Sequence, residues 1–389
     1  MFKFVGWIAV WNLVYCPIPN YLLMGRWDKH IDGQRYNLIQ FPMWCRFDCA
    51  GIGESERPWV NTGSKGKSVE EVKLGFIGCG GNASGHLQQL SNMENVRIVA
   101  TCDIDGVRAT SSAASYNANP YTDHKTMLDR EFLDAVYVSL PVFAHGQPEL
   151  DIIERKLPFF VEKPVAINME TAKQIEEAVV AAGVISCVGY QLRYLGSTQL
   201  ARQILDGEIV NMAVGKYWSG TGRGTPGSWL HQMSRSGGQL VEQTTHTIDM
   251  MRYLVGEVEE VYAVQTNRIL KDIDCPDNNC VTLKFKNGAI GSLTASWSYD
   301  PNDWSHANVL DILYDDRFIH WEADRVQVKE NGQKVSKQAP GPSIDEVFVD
   351  AVFRCDESQI LSSYSDAVKS LAISLAANQS AQEGIPISV

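Results

Sequence analysis

Two short segments hold side chains that could move protons. The first is Phe159-Phe-Val-Glu162-Lys163-Pro164, where an apolar run delivers a lysine to its end. A partly dry site there lowers a lysine pKa and eases proton exchange near neutrality. The same residues equally describe a strand-end lysine ion-paired with Glu162, and the segment alone leaves both readings open. The second is Gly237-Gly238-Gln-Leu-Val-Glu242-Gln-Thr-Thr-His246-Thr-Ile-Asp249. On one continuous helix Glu242 and His246 share a face, with Asp249 near it. A carboxylate beside an imidazole fixes its tautomer and stabilises the imidazolium. That suits a base taking a hydroxyl proton while hydride leaves the same carbon. An exposed charge pair has identical spacing and is the commoner occurrence.

A hydride needs an acceptor, and the sequence holds a place for one. Lys73-Leu-Gly-Phe-Ile-Gly78-Cys-Gly80-Gly-Asn82-Ala83 runs from an apolar strand into Gly78-x-Gly80-x-x-Ala83 and then a helical segment. The first glycine permits a tight turn and the second admits a pyrophosphate. The small third residue lets helix pack on strand, with the helix N-terminus toward the phosphates. A second apolar run, Val96 to Thr101, leads to Asp103, placed to accept from adenosine ribose hydroxyls. Asp103 is followed by Ile104 and Asp105, not by arginine or lysine, which favours NAD. NADP stays open through a basic residue from elsewhere.

These residues need a scaffold, and the pattern from Val72 supplies one. Strands are expected near 72–78, 96–102, 135–140, 158–162 and 184–190, with helices over 82–92, 106–117, 144–155 and 168–182. Alternation of this kind implies a parallel sheet with right-handed crossovers. Ligands bind beyond the carboxyl ends of such strands. Ser139-Leu-Pro141, Glu162-Lys163-Pro164 and Gly189-Tyr190-Gln191 should therefore line the crevice, and His145 is placed with Pro141 on the cofactor side. After Arg193 the pattern changes. Helices are expected at 194–205, 238–254 and 364–379, and long strands at 209–219, 257–269, 279–286, 289–299, 306–314 and 324–330. Asn287-Gly288 between two of them signals a hairpin. The fold class is thus α/β: an N-terminal Rossmann domain with a parallel sheet, then an α+β domain with an open, mainly antiparallel sheet. One face of that second sheet is left to meet a partner subunit, as a homodimer or homotetramer.

The 389 residues suit about two domains, read as 71–192 for the dinucleotide and 193–389 for substrate and assembly, with the final helix packing back on the first. Net charge is −12 and no basic run stands out, which argues against a nucleic-acid surface. Nine scattered cysteines, without metal spacing, read as thiols of a reducing, cytoplasmic compartment, and no metal is expected. Residues 1–70 differ. They hold Trp7, Trp11, Trp27, Trp44 and Trp59, and no charge falls between Phe4 and Gly25. A signal or anchor segment, an added packing arm, and upstream sequence not normally translated all fit. Pro17, Pro19, Asn12 and Asn20 speak against a span, so no membrane is expected, and the third reading is favoured because the dinucleotide unit begins cleanly near Val72 with no readable periodicity before it.

The glycine turn with its acid, Glu162-Lys163-Pro164, Gly189-Tyr190-Gln-Leu-Arg193-Tyr194, Gly237-Gly238, His246-x-x-Asp249 and Ser380-Ala-x-x-Gly384-x-Pro386 occur in that order. Together they resemble the glucose–fructose oxidoreductase and inositol dehydrogenase family (Gfo/Idh/MocA) over about residues 72–389. The resemblance implies NAD(P)-dependent hydride transfer at a secondary alcohol or ketone of a sugar or cyclitol. It implies catalytic roles for Lys163 and His246, with Glu242 where many members carry aspartate. Gly78, Gly80, Asn82, Ala83, Asp103, Ile104, Pro141, His145, Glu162 and Lys163 would hold the cofactor. Tyr190, Arg193, Trp229, His231 and His246 would line the sugar pocket. Some relatives use NAD transiently to cleave or epimerise glycosides. Others are non-catalytic sensors, which the presence of both lysine and histidine disfavours.

Overall fold

The computed structural model describes residues 71–389 apart from 221–226 and 331, and within residues 1–61 a two-residue antiparallel ladder of His30–Ile31 with Gln34–Arg35. The tryptophans of the extension lie outside the described residues.

The chain from Val72 builds a six-stranded parallel sheet of β1 (Val72–Ile77), β2 (Val96–Cys102), β3 (Asn119–Tyr121), β4 (Ala135–Val138), β5 (Phe159–Val161) and β6 (Ser186–Val188). Their order is β3-β2-β1-β4-β5-β6, the doubly wound order whose reversal, between β1 and β4, opens a crevice for a dinucleotide. β4, β5 and β6 are buried at every residue because helices cover both faces. On one face α1 (Gly81–Leu90) packs Ala83, Leu87 and Leu90 against Leu74, Phe76, Tyr137 and Phe160. On the other, α4 (Gln147–Glu154) and α5 (Met169–Ala182) supply Ile152, Ile153, Ala172 and Ile175. α2 (Gly106–Tyr116) starts where Asp105 caps the Val107 amide at 2.9 Å and ends at Asn117 in the left-handed region (φ +53°). The expected strands and helices of this half all form. β3 and α3 (His124–Arg130) are additional, too short for periodicity to reveal.

The second sheet has nine strands: β7 (Val210–Trp218), β8 (Val258–Thr266), β9 (Asn278–Phe285), β10 (Ile290–Ser296), β11 (Ala307–Tyr314), β12 (Arg317–Glu322), β13 (Arg325–Glu330), β14 (Gln333–Lys337) and β15 (Ile387–Ser388). Their order is β14-β13-β12-β11-β7-β10-β9-β8-β15, antiparallel throughout except for β7 with β10. The Asn287-Gly288 hairpin joins β9 to β10, with Gly288 at φ +92° and Lys284 opposite Ile290. Side chains alternate between a core beneath α6 (Gly196–Leu205) and its neighbouring helices and an outer face that exposes Val214, Tyr262, Val264, Ile290 and Leu313. β12, β14 and α10 (Ile344–Arg354) are not foreseen by the sequence pattern. α10 is set by a capping box, in which Ser343 Oγ accepts from the Asp345 amide and Glu346 from the Ser343 amide. The long α11 (Tyr364–Glu383) joins both cores, through Tyr364, Ala367, Val368 and Leu371 beneath the parallel sheet and Ile373, Ala376 and Ala377 beneath the antiparallel one.

Candidate active site

The crevice begins at the turn after β1. Gly78 has φ +93°, and a Cβ there would lie 2.1 Å from the Ser139 carbonyl oxygen, so only glycine passes. Gly80 precedes α1 in extended backbone, and a Cβ there would meet nothing within 4 Å. Space is therefore open in front of a helix N-terminus that has no side-chain cap and no acidic residue in its first turn. Its first amides lack intrahelical acceptors, which is the chemistry of a phosphate cradle. Asn82 stands exposed beside that space and Ala83 is buried against the strand, as the small third position requires. These residues fit a dinucleotide.

Asp103 sits just past β2. Its carboxylate accepts the Cys79 amide at 3.0 Å, the Asp105 amide at 2.9 Å and the Arg108 guanidinium at 3.0 Å. Burial raises its pKa, but these hydrogen bonds outweigh it and hold the carboxyl below its ordinary value. Arg108 is the basic residue that adjacency to Asp103 did not reveal; it lies one helical turn inside α2. Ile104 is 93% exposed, an apolar side chain standing open beside Asp103. Across the crevice Pro141 precedes a short 3₁₀ turn (Val142–Ala144). His145 follows it, buried, with Nδ1 2.5 Å from Glu149 Oε1 and Nε2 without a hydrogen-bond partner.

At the end of β5 Glu162 and Lys163 are both largely buried. Lys163 Nζ donates to the main-chain carbonyl of Glu242 at 2.9 Å, with the Glu242 carboxylate 3.8 Å away. The two segments that could move protons thus meet, although they are 79 positions apart.

The second segment does not fold as one helix. The short α7 (Met233–Ser236) ends at Gly237; Gly237 and Gly238 take φ near +70°, and α8 (Gly238–Glu242) ends before α9 (Thr245–Val255) begins. Gln243 lies between them, and its Oε1 accepts from Trp297 Nε1 at 2.5 Å. The expected Glu242–His246 pair is therefore not formed. The Glu242 carboxylate turns to Lys163 instead, and Asp249 turns to Arg193. His246 lies edge-on to the Tyr190 ring, 6.1 Å between centroids, and Tyr190 is fixed by a 2.8 Å bond to Thr245 Oγ1. Burial, and then the Lys163 charge, push the His246 pKa well below the ordinary imidazole value, so the ring is neutral at pH 7.

Arg193 is not brought to this group. Its guanidinium grips Asp249 at 2.8 and 2.6 Å, the Leu361 carbonyl at 2.5 Å and Asp366 at 2.6 Å, all inside the protein. A charge so fully paired has nothing left for a sugar. Trp229 packs on Phe143 at the rim, and His231 is buried with Nε2 unpartnered. Gln239 Nε2, Glu242 Oε2, Thr244 Oγ1 and His246 Nδ1 are likewise buried without a hydrogen bond. Four such atoms fall within eight residues of sequence. Among the described residues no three His, Cys, Asp or Glu side chains converge to hold a metal ion.

Residues 72–190 match the model of an oxidoreductase family with an NAD-binding Rossmann fold, and residues 198–314 match the GFO/IDH/MocA C-terminal domain. The chain belongs to the Gfo/Idh/MocA family. An uncharacterized oxidoreductase, YrbE of Bacillus subtilis, is 30% identical over 60% of this chain and 70% of its own. The myo-inositol 2-dehydrogenase of Thermotoga maritima is 26% identical over 59% of this chain and 71% of its own. Levoglucosan dehydrogenase, solved with NADH and levoglucosan, superposes with a TM-score of 0.74 at 22% identity, covering 82% of this chain and 99% of that one. The chain is therefore an NAD-binding oxidoreductase, with inositol and sugar dehydrogenases among its relatives. No helix among the described residues is long and apolar enough to cross a membrane.

Proposed function

We propose that this protein oxidises a secondary alcohol of a sugar or cyclitol, or reduces the matching ketone, with NAD favoured over NADP. The observation that carries this reading is the meeting of Lys163 Nζ with the segment bearing His246, a segment in which four buried polar atoms lack hydrogen-bond partners. Gly78, Gly80, Asn82 and Ala83 would receive the pyrophosphate and Asp103 the adenosine ribose, with Ile104, Pro141, His145 and Glu162 along the remaining length. The nicotinamide, when bound, supplies the ring that takes or gives hydride. Neutral His246 accepts the hydroxyl proton on a ring nitrogen, while Lys163 Nζ donates to the same oxygen and steadies its growing negative charge. Loss of the carbinol hydride and the hydroxyl proton leaves the ketone. Glu242 serves Lys163: its carbonyl anchors the ammonium and its carboxylate balances the charge. Tyr190 backs His246, and Trp229 and His231 border the substrate.

We assign residues 71–192 to the dinucleotide and 193–389 to substrate and assembly. The exposed apolar residues Val214, Tyr262, Val264, Ile290 and Leu313 on the outer sheet face support a homodimer or homotetramer. Among the described residues, the thiols of Cys79, Cys102, Cys187, Cys275 and Cys280 support a reducing, cytoplasmic setting. The test is incubation with NAD and a panel of inositols, aldoses and aryl glycosides, following reduced cofactor and aglycone together. Accumulating NADH supports the dehydrogenase. Aglycone release without NADH would instead make it a transient-redox glycosidase.

A further inference from the structure

His86 lies on α1, six residues past Gly80, and none of the roles above uses it. Its Nε2 is 2.9 Å from Glu162 Oε1 and its Nδ1 is 2.7 Å from Asp345 Oδ1 on α10. Carboxylates accept, so both ring nitrogens must donate and the ring must be an imidazolium. Burial alone would lower its pKa, yet the hydrogen bonds it donates to Asp345 and Glu162 lift it to about 9. The ring packs on Phe160 and Tyr137, with centroids 4.8 and 5.6 Å away, and the Tyr137 hydroxyl donates to Asp345 Oδ1 at 3.1 Å. Two carboxylates and two aromatic rings therefore set the position of the ring.

Glu162 directly precedes Lys163, and its carboxylate is held at both oxygens. Oε1 faces His86 and Oε2 accepts the Lys163 amide at 3.2 Å. Gly189 leaves room for it, since a Cβ there would lie 2.8 Å from Oε2. One imidazolium thus joins three stretches of sequence separated by 76 and 259 positions.

We propose that His86 is a positioning residue for Lys163: by bonding Glu162 and Asp345 it locks the helix that faces the dinucleotide phosphates to the main chain carrying the lysine. The lock fixes where the Lys163 side chain sets out on its way to the Glu242 carbonyl. This inference rests on Lys163 acting in the reaction.

The test compares wild type, His86→Gln, Glu162→Gln, the double variant and Lys163→Ala in the full chain with NAD and a polyol that it turns over. His86→Gln should lower kcat about tenfold while polyol KM and NAD Kd stay within about twofold, and the double variant should be no worse than the worse single one. A kcat within about twofold of wild type in His86→Gln, or losses that multiply in the double variant, would overturn the inference. Lys163→Ala turning over normally would refute the catalytic reading itself. Inactive Lys163→Ala beside a normal His86→Gln would refute only the positioning role. Should His86→Gln not fold, imidazole-nitrogen NMR of the wild type decides: two protonated nitrogens on His86 at pH 7 support the lock, and a neutral tautomer overturns it.

Discussion

The ammonium of Lys163 donates to the backbone carbonyl of Glu242, not principally to its carboxylate: the first distance is 2.9 Å and the second 3.8 Å. A main-chain acceptor cannot be mutated away or protonated, so the lysine stays in place whatever the glutamate does. The short helix α8 ends at Glu242, whose carbonyl is taken by Lys163, and the next residue, Gln243, is held by Trp297.

Glu242→Gln should therefore be mild. The carbonyl remains and only charge balance changes, so kcat should fall by about tenfold or less, with NAD affinity unchanged. Steady-state kinetics check this. A loss as deep as that of Lys163→Ala would mean that the carboxylate has a direct part in proton transfer.

His246 is kept neutral by burial and by the Lys163 charge, its pKa lying well below 6.5. A base of that kind is ready across the neutral range. The acid limb of kcat/KM for alcohol oxidation should then fall below pH 6.5, and His246→Asn should reduce kcat by about 10²-fold or more. An acid limb at or above 6.5 that disappears in His246→Asn would contradict the assignment.

Asp103 and Arg108 are bonded to each other at 3.0 Å. Removing the carboxylate frees a guanidinium at the position where a 2′-phosphate would lie. Asp103→Ser should weaken NAD binding by about tenfold and improve NADP, while Arg108→Ala leaves NAD affinity nearly intact. Fluorescence titration with both cofactors reads the ratio. An unchanged preference in Asp103→Ser would show that selectivity is set elsewhere.

The His86 imidazolium also predicts a pH-dependent stability. Its folded pKa, about 9, stands above the ordinary 6.5. Below pH 6.5 both folded and unfolded chains hold the proton, and the full contribution is present. It fades as pH rises through 9. A rise from 6.5 to about 9 corresponds to roughly 3 kcal/mol. Urea unfolding of wild type and His86→Gln from pH 6 to 10 should show their difference shrinking across that window; a constant difference would count against a charged lock.

Much of this was legible before any coordinates. Gly78, Gly80, Ala83 and Asp103 follow from strand-to-helix spacing because each obeys a local rule: a left-handed turn, an open approach, a close packing, an acid past the next strand. The long strands and the Asn287-Gly288 hairpin are equally local. Three things escaped because they depend on tertiary partners. The Glu242–His246 pairing needs an unbroken helix, whereas the run stops at Glu242, with the neighbouring Gln243 held by Trp297, 54 residues away. Arg193 has the composition of a sugar ligand, yet Asp249 and Asp366 claim it. His86 sits on the exposed-to-buried border of α1 with nothing local to distinguish it, and it gains meaning only when Asp345 arrives from the far end of the chain.

Single-turnover cofactor reduction by Lys163→Ala, measured beside its NAD dissociation constant, tests the central claim most directly. The account predicts hydride transfer slowed by about 10²- to 10⁴-fold with NAD binding within about twofold of wild type. Reduction at the wild-type rate by that variant would contradict it.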